Sequence, residues 1–268
     1  MGNILEAIDF PELVIGLAGP IGIDVDLIYR SAATALSAVG YDTTLIHITK
    51  EIETEQSNIA KPESGDFRSD VLYKMDHAKD LCVIHGSPDT LMRFALRAIR
   101  RHRIAHWTEY LRDHSCSDLS ADDVEVNLED RVVPKTVYFI RQLKRPAEVD
   151  LLRRVYGKQF ILMSAYGTPD DRKKRIVNSL RRSMPLNTKE HKFQAHADEL
   201  MYRDQDESED TNGQHLRDTF PMADVFIDGI AADKIRFGVE RFVDALFGRT
   251  DIAPTKDEYG ITLLNQRR

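Results

Sequence analysis

Leu13-Val-Ile-Gly-Leu-Ala-Gly-Pro-Ile-Gly-Ile-Asp-Val-Asp26 decides how the rest of the chain is read. It opens with an apolar run, Leu13 to Ala18, bounded by Pro11 and a glycine cluster, which predicts a buried parallel strand. Gly16, Gly19 and Gly22 follow at three-residue spacing. Beyond them Leu27, Ile28, Ala32, Ala35, Leu36 and Val39 recur with a helical period, and Gly40 stands at the C-cap. Strand, glycine turn and helix in that order aim backbone N–H groups at a phosphate.

The stretch departs from the usual phosphate loop, G-x-x-x-x-G-K-[ST], whose lysine reaches the β/γ-phosphates and whose hydroxyl binds Mg²⁺. Counting from Gly19, the lysine position holds Val25 and the Ser/Thr position Asp26, with Asp24 just before. A cation is missing and two carboxylates have arrived, so bound phosphate needs Mg²⁺ or a distant arginine to offset repulsion. Three readings stay open: a working phosphate loop, a βα turn that only packs, or a turn whose Asp24 and Asp26 hold a metal or a ribose hydroxyl.

With 268 residues the chain is long enough for one large α/β domain or two small ones, and 42% hydrophobic and 30% charged content is ordinary for a soluble globular protein. Its net charge of −7 gives no general attraction to nucleic acid or anionic membrane, so neither DNA nor a membrane is an expected partner. Cys82 and Cys116 form no metal-ligand pair and no disulfide framework. No apolar run approaches ~18 residues. Met1-Gly-Asn-Ile-Leu-Glu6 lacks the shape of a signal peptide, and a cytoplasmic location is expected.

Downstream, Thr43–Ile48 reads as a second strand, with His47 facing outward. Residues 50–69 and 113–130 are polar and read as exposed insertions in an α/β domain spanning 1–250. Val71–Ile84 and Thr90–Ile99 carry apolar residues at helical spacing. The basic run Arg97 to His106 reads as a solvated helix end, with anion binding as the sharper alternative. Lys135–Leu143 and Gln159–Ala165 read as strands, with a helix at Pro146–Val155 between them. A basic helix at Asp170–Ser183, a short strand at Asp224–Asp228 and an amphipathic helix at Ala232–Phe247 follow. The charge run Asp204–Asp210 reads as a loop. Alternating strands and helices of this length predict a three-layer parallel sheet with helices on both faces.

In such sheets ligands bind beyond the carboxyl ends of the strands. Gly19, Gly22, Asp24, Asp26 and Arg141 fall at that edge, as does the start of the basic helix with Arg172, Lys173 and Arg175. These eight are the candidate nucleotide-binding residues; no catalytic residue is assigned. Arginines at the start of a helix that follows a strand suit a transferring phosphoryl group, and a merely solvated basic face is the alternative.

Several phrases carry a resemblance: Leu13-Val-Ile-Gly-Leu-Ala-Gly-Pro-Ile-Gly22, Thr136-Val-Tyr-Phe-Ile-Arg-Gln-Leu-Lys-Arg-Pro146, Glu148-Val-Asp-Leu-Leu-Arg-Arg-Val-Tyr-Gly157, Gly213-Gln-His-Leu-Arg-Asp-Thr-Phe-Pro-Met-Ala-Asp-Val-Phe226 and Pro254-Thr-Lys-Asp-Glu-Tyr-Gly260. Over residues 12–260 the sequence resembles the amino-terminal half of the anti-phage dCTP deaminase family, bacterial proteins similar to deoxycytidylate deaminase. The resemblance implies a P-loop nucleotide-kinase-like domain, a nucleotide partner bound with Mg²⁺, and a carboxy-terminal zinc deaminase domain. That deaminase signature, H-x-E followed by P-C-x-x-C, does not occur here; the nearest match is His196-Ala-Asp198. Residues 251–268 are therefore expected to be a tail or linker toward an absent deaminase domain, to which any zinc would belong. Three functions follow as expectations: a nucleotide-binding regulatory domain, a nucleotide kinase, or a scaffold that dimerises or docks a partner protein.

Overall fold

Strand β1, Leu13–Ala18, is buried at every residue and forms the centre of a parallel sheet. The computed structural model describes residues 10–63, 65–113, 128–185, 187–205 and 215–248. Over these residues β1 leads through a glycine turn into α1 (Val25–Ala38), β2 (Asp42–His47), the one-turn α2 (Ile48–Glu51), α3 (Phe67–Ile84) and α4 (Thr90–Asp113). Strand β3 (Thr136–Leu143), α5 (Pro146–Tyr156), β4 (Phe160–Tyr166), α6 (Pro169–Ser183), α7 (Glu190–Gln205), the one-turn α8 (Leu216–Thr219), β5 (Val225–Asp228) and α9 (Ala232–Leu246) follow. The strand order is β2-β3-β1-β4-β5, and all four pairings are parallel. This is the three-layer α/β class, a parallel sheet with helices on both faces, expected from the sequence.

Residue parity sorts the two faces of the sheet, because successive side chains of a strand point to opposite sides. Leu13, Ile15 and Leu17 pack with Ile28 and Leu36 of α1 and Val239 of α9. Val14 and Ala18 pack on the other side with Met92 and Ile99 of α4 and Leu152 of α5. A smaller core joins Ile176 and Leu180 of α6 to Phe193, Ala197 and Leu200 of α7 and takes in Val71 of α3. Local signals set the helix starts. Asp24 caps α1 by accepting from the Leu27 N–H at 3.0 Å, and Thr168 caps α6 ahead of Pro169.

Several expectations change. The 50–69 tract is not wholly exposed: Ile52 is buried at the end of α2 and packs with Leu81 and Ile140. In the 113–130 tract, residues 114–127 lie outside the described residues, but Leu128 is buried with Trp107 and Val133. The basic run is the middle of α4 rather than a helix end, since Ile104, Trp107 and Leu111 carry the helix onto that small core. Three of its arginines pair with acids, Arg97 with Glu55, Arg101 with Glu51 and Arg103 with buried Glu12. Asp204 and Gln205 belong to α7 rather than a loop; residues 206–210 of the charge run and the 251–268 tail lie outside the described residues. Among the described residues no helix is long and apolar enough to cross a membrane.

The glycine turn is wedged against α6. Gly22 has φ +95°, and a Cβ there would lie 2.8–2.9 Å from the backbone of Arg172. Gly40 has φ +82° but nothing within 4 Å. Gly40→Ala should therefore cost only the left-handed strain, about 1–2 kcal/mol, and Gly22→Ala clearly more, about 3 kcal/mol, in urea unfolding at unchanged m-value.

Candidate functional site

The carboxyl ends of β1 and β3 and the last turn of α7 meet at one buried point. The Ile21 N–H donates to Asp204 Oδ2 at 2.6 Å. Lys144 Nζ donates to Asp204 Oδ1 and to the Gly19 carbonyl, both at 2.7 Å. The side chains of Lys144 and Asp204 are only 11% and 2% exposed. A buried carboxylate is tolerated when its oxygens are satisfied by charged or oriented donors, and here the glycine turn and the lysine supply them. The turn thus receives an anion, and that anion belongs to the protein itself.

A bulge delivers the lysine. Along β1 the register with β3 jumps from Leu17–Arg141 to Ala18–Leu143, leaving Gln142 unmatched. Gln142 carries the extra residue at φ 69°, a strained conformation for a non-glycine side chain. The Lys144 N–H is then held by Glu148 Oε2 at 2.7 Å, and Arg145 pairs with the same buried glutamate.

Arg172 lies directly behind the turn. It is 3% exposed, and its Nε and Nη1 have no hydrogen-bond partner. Burial lowers its pKa, and the opposing influence comes from the charge of Asp204.

Next to this point opens a cleft of about 580 Å³, the size of a small-ligand site. Lys74, Arg141, Lys144, Arg145, Arg175 and Arg182 line it against Asp24, Asp26, Asp70 and Asp204. The cleft is thus locally basic in a chain of net charge −7. Rim pairs neutralise it: Arg175 with Asp24, Arg141 with Asp26 at 2.8 Å, and Lys74 with Asp70 at 2.6 Å. Pairs this exposed contribute little to stability and can exchange for a ligand. His47 also lines the cleft rather than facing outward from the sheet, with Nδ1 2.8 Å from Thr49 Oγ1. Burial first, then Arg141, Lys50 and Lys74, lower its pKa to about 4, so the ring is neutral at pH 7.

Of the residues singled out in the sequence, Gly22, Asp24, Asp26, Arg141 and Arg175 line this cleft, and Gly19 presents its carbonyl to Lys144 at the same edge. Asp24 divides its oxygens between the α1 cap and Arg175. Arg172 is interior, not part of a solvated face, because it shares a stripe with Ile176 and Leu180. Lys173 sits about 100° around the helix and pairs with Asp198 at 2.7 Å, lining a separate surface groove with Asp170 and Arg181. His196 belongs to α7, 3.6 Å from Glu199. Cys82 is buried, its thiol pushed up to about 11, and Cys116 lies outside the described residues. Among the described residues no group of three or more His, Cys, Asp or Glu is placed to hold a metal ion.

Sequence reading missed Lys144, Asp204 and His47 as site residues. Lys144 and His47 were findable only from the rule that polar groups at carboxyl strand ends meet. Asp204 needed α7 to be recognised first, from the stripe Phe193, Ala197 and Leu200.

No protein-family model matches the sequence, and no curated protein matches it. Among solved structures, the chain is similar to a gluconokinase from Sinorhizobium meliloti 1021, at 13% identity and TM-score 0.37, covering 90% of this chain and 98% of that one. An uncharacterized protein from Eubacterium ventriosum ATCC 27560 aligns at 12% identity and TM-score 0.39, covering 87% and 98%. These likenesses are too distant to bear on function; the fold rests on the strand order and the glycine turn.

His47 makes the site sensitive to acid. Between its lowered pKa of about 4 and its ordinary value of 6.5, the unfolded chain binds more protons at this position than the folded one. Stability from this group is therefore complete above pH 6.5 and is lost as pH falls toward 4. The difference in melting temperature between wild type and His47→Gln should shift against wild type across that window and stay flat above it, read by thermal melts at stepped pH.

Proposed function

We propose that this chain is a nucleotide-binding, regulatory domain of P-loop kinase-like class, whose cleft takes the phosphates of a deoxynucleotide. The observation that carries the reading is the glycine turn after β1, which donates a backbone N–H to a buried carboxylate beside the Lys144 ammonium. A turn that holds a carboxylate this way has the polarity to hold a phosphoryl oxygen. Lys144 supplies, from the end of β3, the cation absent from the start of α1. Arg141 and Arg175 stand ready to exchange their carboxylate partners for phosphate, and Asp26, 72% exposed, would then be free to meet a Mg²⁺ carried by the nucleotide.

The wider setting rests on the sequence resemblance alone. The domain would bind a deoxycytidine nucleotide and control its deamination in defence against phage. The zinc chemistry would come from a deaminase domain or partner protein rather than from these residues. Regulation is favoured over phosphoryl transfer because Val25 and Asp26 stand where a phosphate loop places lysine and a hydroxyl. The competing reading, a nucleotide kinase, draws its support from Lys144 as a substitute for that lysine.

Calorimetry tests the reading. dCTP or another dNTP should bind wild-type protein at or below millimolar concentration, more tightly with Mg²⁺. The double variant Arg141→Met, Arg175→Met should bind about tenfold to a hundredfold more weakly, the range of one or two charge-assisted hydrogen bonds. No heat with any dNTP overturns the reading. Conversion of dCMP to dCDP with ATP, followed by chromatography, should stay at background; a clear product peak would favour the kinase instead.

A further inference from the structure

The buried point beside the glycine turn holds more positive character than its single carboxylate satisfies. Asp204 accepts from the Ile21 N–H and from Lys144. Arg172, almost wholly buried, keeps Nε and Nη1 without partners, although Asp204 is the acid whose charge reaches it. Native proteins seldom bury unpaired guanidinium donors, and such groups call for an explanation. A planar carboxylate presents two oxygens and one negative charge. A phosphoryl group presents three terminal oxygens and up to two charges, and so has acceptors left over for the two idle donors.

The acid's placement is also unusual. Asp204 is the penultimate residue of α7, where the helix dipole disfavours a negative charge. Packing of Phe193, Ala197 and Leu200 on α6 anchors the body of α7, and Arg203 in its last turn is tied to Asp76 of α3. Releasing the last turn therefore exchanges the partly exposed Arg203–Asp76 pair, while Phe193, Ala197 and Leu200 keep the rest of the helix docked.

We propose that Asp204 is an internal stand-in for a phosphoryl group: it closes the seat formed by Ile21, Lys144 and Arg172 in the free protein, and a bound phosphate expels it and loosens the last turn of α7. This rests on the nucleotide reading above and adds its regulation. Ligand occupancy is converted into a movement of the chain at residue 204. Nucleotide affinity is held down by the fraction of time the seat is closed.

The test compares wild type with Asp204→Asn, which keeps the shape and removes the charge, using inorganic pyrophosphate and dCTP in calorimetry. Affinity for both should rise about tenfold or more in the variant, as expected if the seat is open about a tenth of the time or less in wild type. Equal or weaker binding by the variant, with dCTP still bound by wild type, overturns the inference and leaves the nucleotide reading standing. Absence of binding by both proteins overturns the nucleotide reading and this inference with it. Should Asp204→Asn fail to fold, hydrogen exchange of wild type decides: amides of residues 200–205 should exchange several-fold faster with pyrophosphate bound, and unchanged or slower exchange overturns the inference.

Discussion

A carboxylate out of reach of water, clasped by one ammonium and one backbone amide, constrains everything at the ligand-facing end of this molecule. Its three participants, Ile21, Lys144 and Asp204, are far apart in sequence. Leaving any one behind strands a buried charge, which typically costs about 3–5 kcal/mol. The turn, the end of β3 and the end of α7 are therefore fixed relative to one another before any ligand arrives. The cleft beside them inherits its walls from that arrangement: α1 and its cap on one side, α3 across the gap, and Arg175, Ile176, Ser179 and Arg182 of α6 closing the third.

Charge is distributed unevenly around this centre. The interior pair is shielded from solvent, whereas the rim pairs Asp24–Arg175, Asp26–Arg141 and Asp70–Lys74 are partly or largely exposed. Salt and competing anions act strongly on the second group and weakly on the first. A ligand that entered the cleft would meet side chains able to change partners at little cost, ahead of a seat that resists entry.

What could be read from the sequence follows the range of each interaction. β1, β3 and β4 were legible because apolar runs bounded by turn residues are local signals, and α1 and α9 because their apolar stripes are long. α7 escaped notice since only three core residues, Phe193, Ala197 and Leu200, punctuate an otherwise charged segment. Arg172 was read as a candidate phosphate-binding residue on a basic helix, although its spacing to Ile176 and Leu180 turns it inward. The glycine turn itself was legible, but not its occupant. That required bringing the end of α7 to the turn, a contact between residues 183 positions apart in the chain.

The single unmatched residue in β3 has a consequence for how this protein can change. Tyr138 and Ile140 face the α4 side, and after Gln142 the odd-numbered Leu143 faces that side too. One additional residue has swapped the alternation, so that the lysine following Leu143 is delivered to the glycine turn. If the same residues paired without the bulge, Lys144 would share the parity of Tyr138 and Ile140, and its ammonium would point into the oil beneath α5. In this scaffold a one-residue slip of pairing at the end of β3 is enough to silence or restore the cation, with no substitution in the turn.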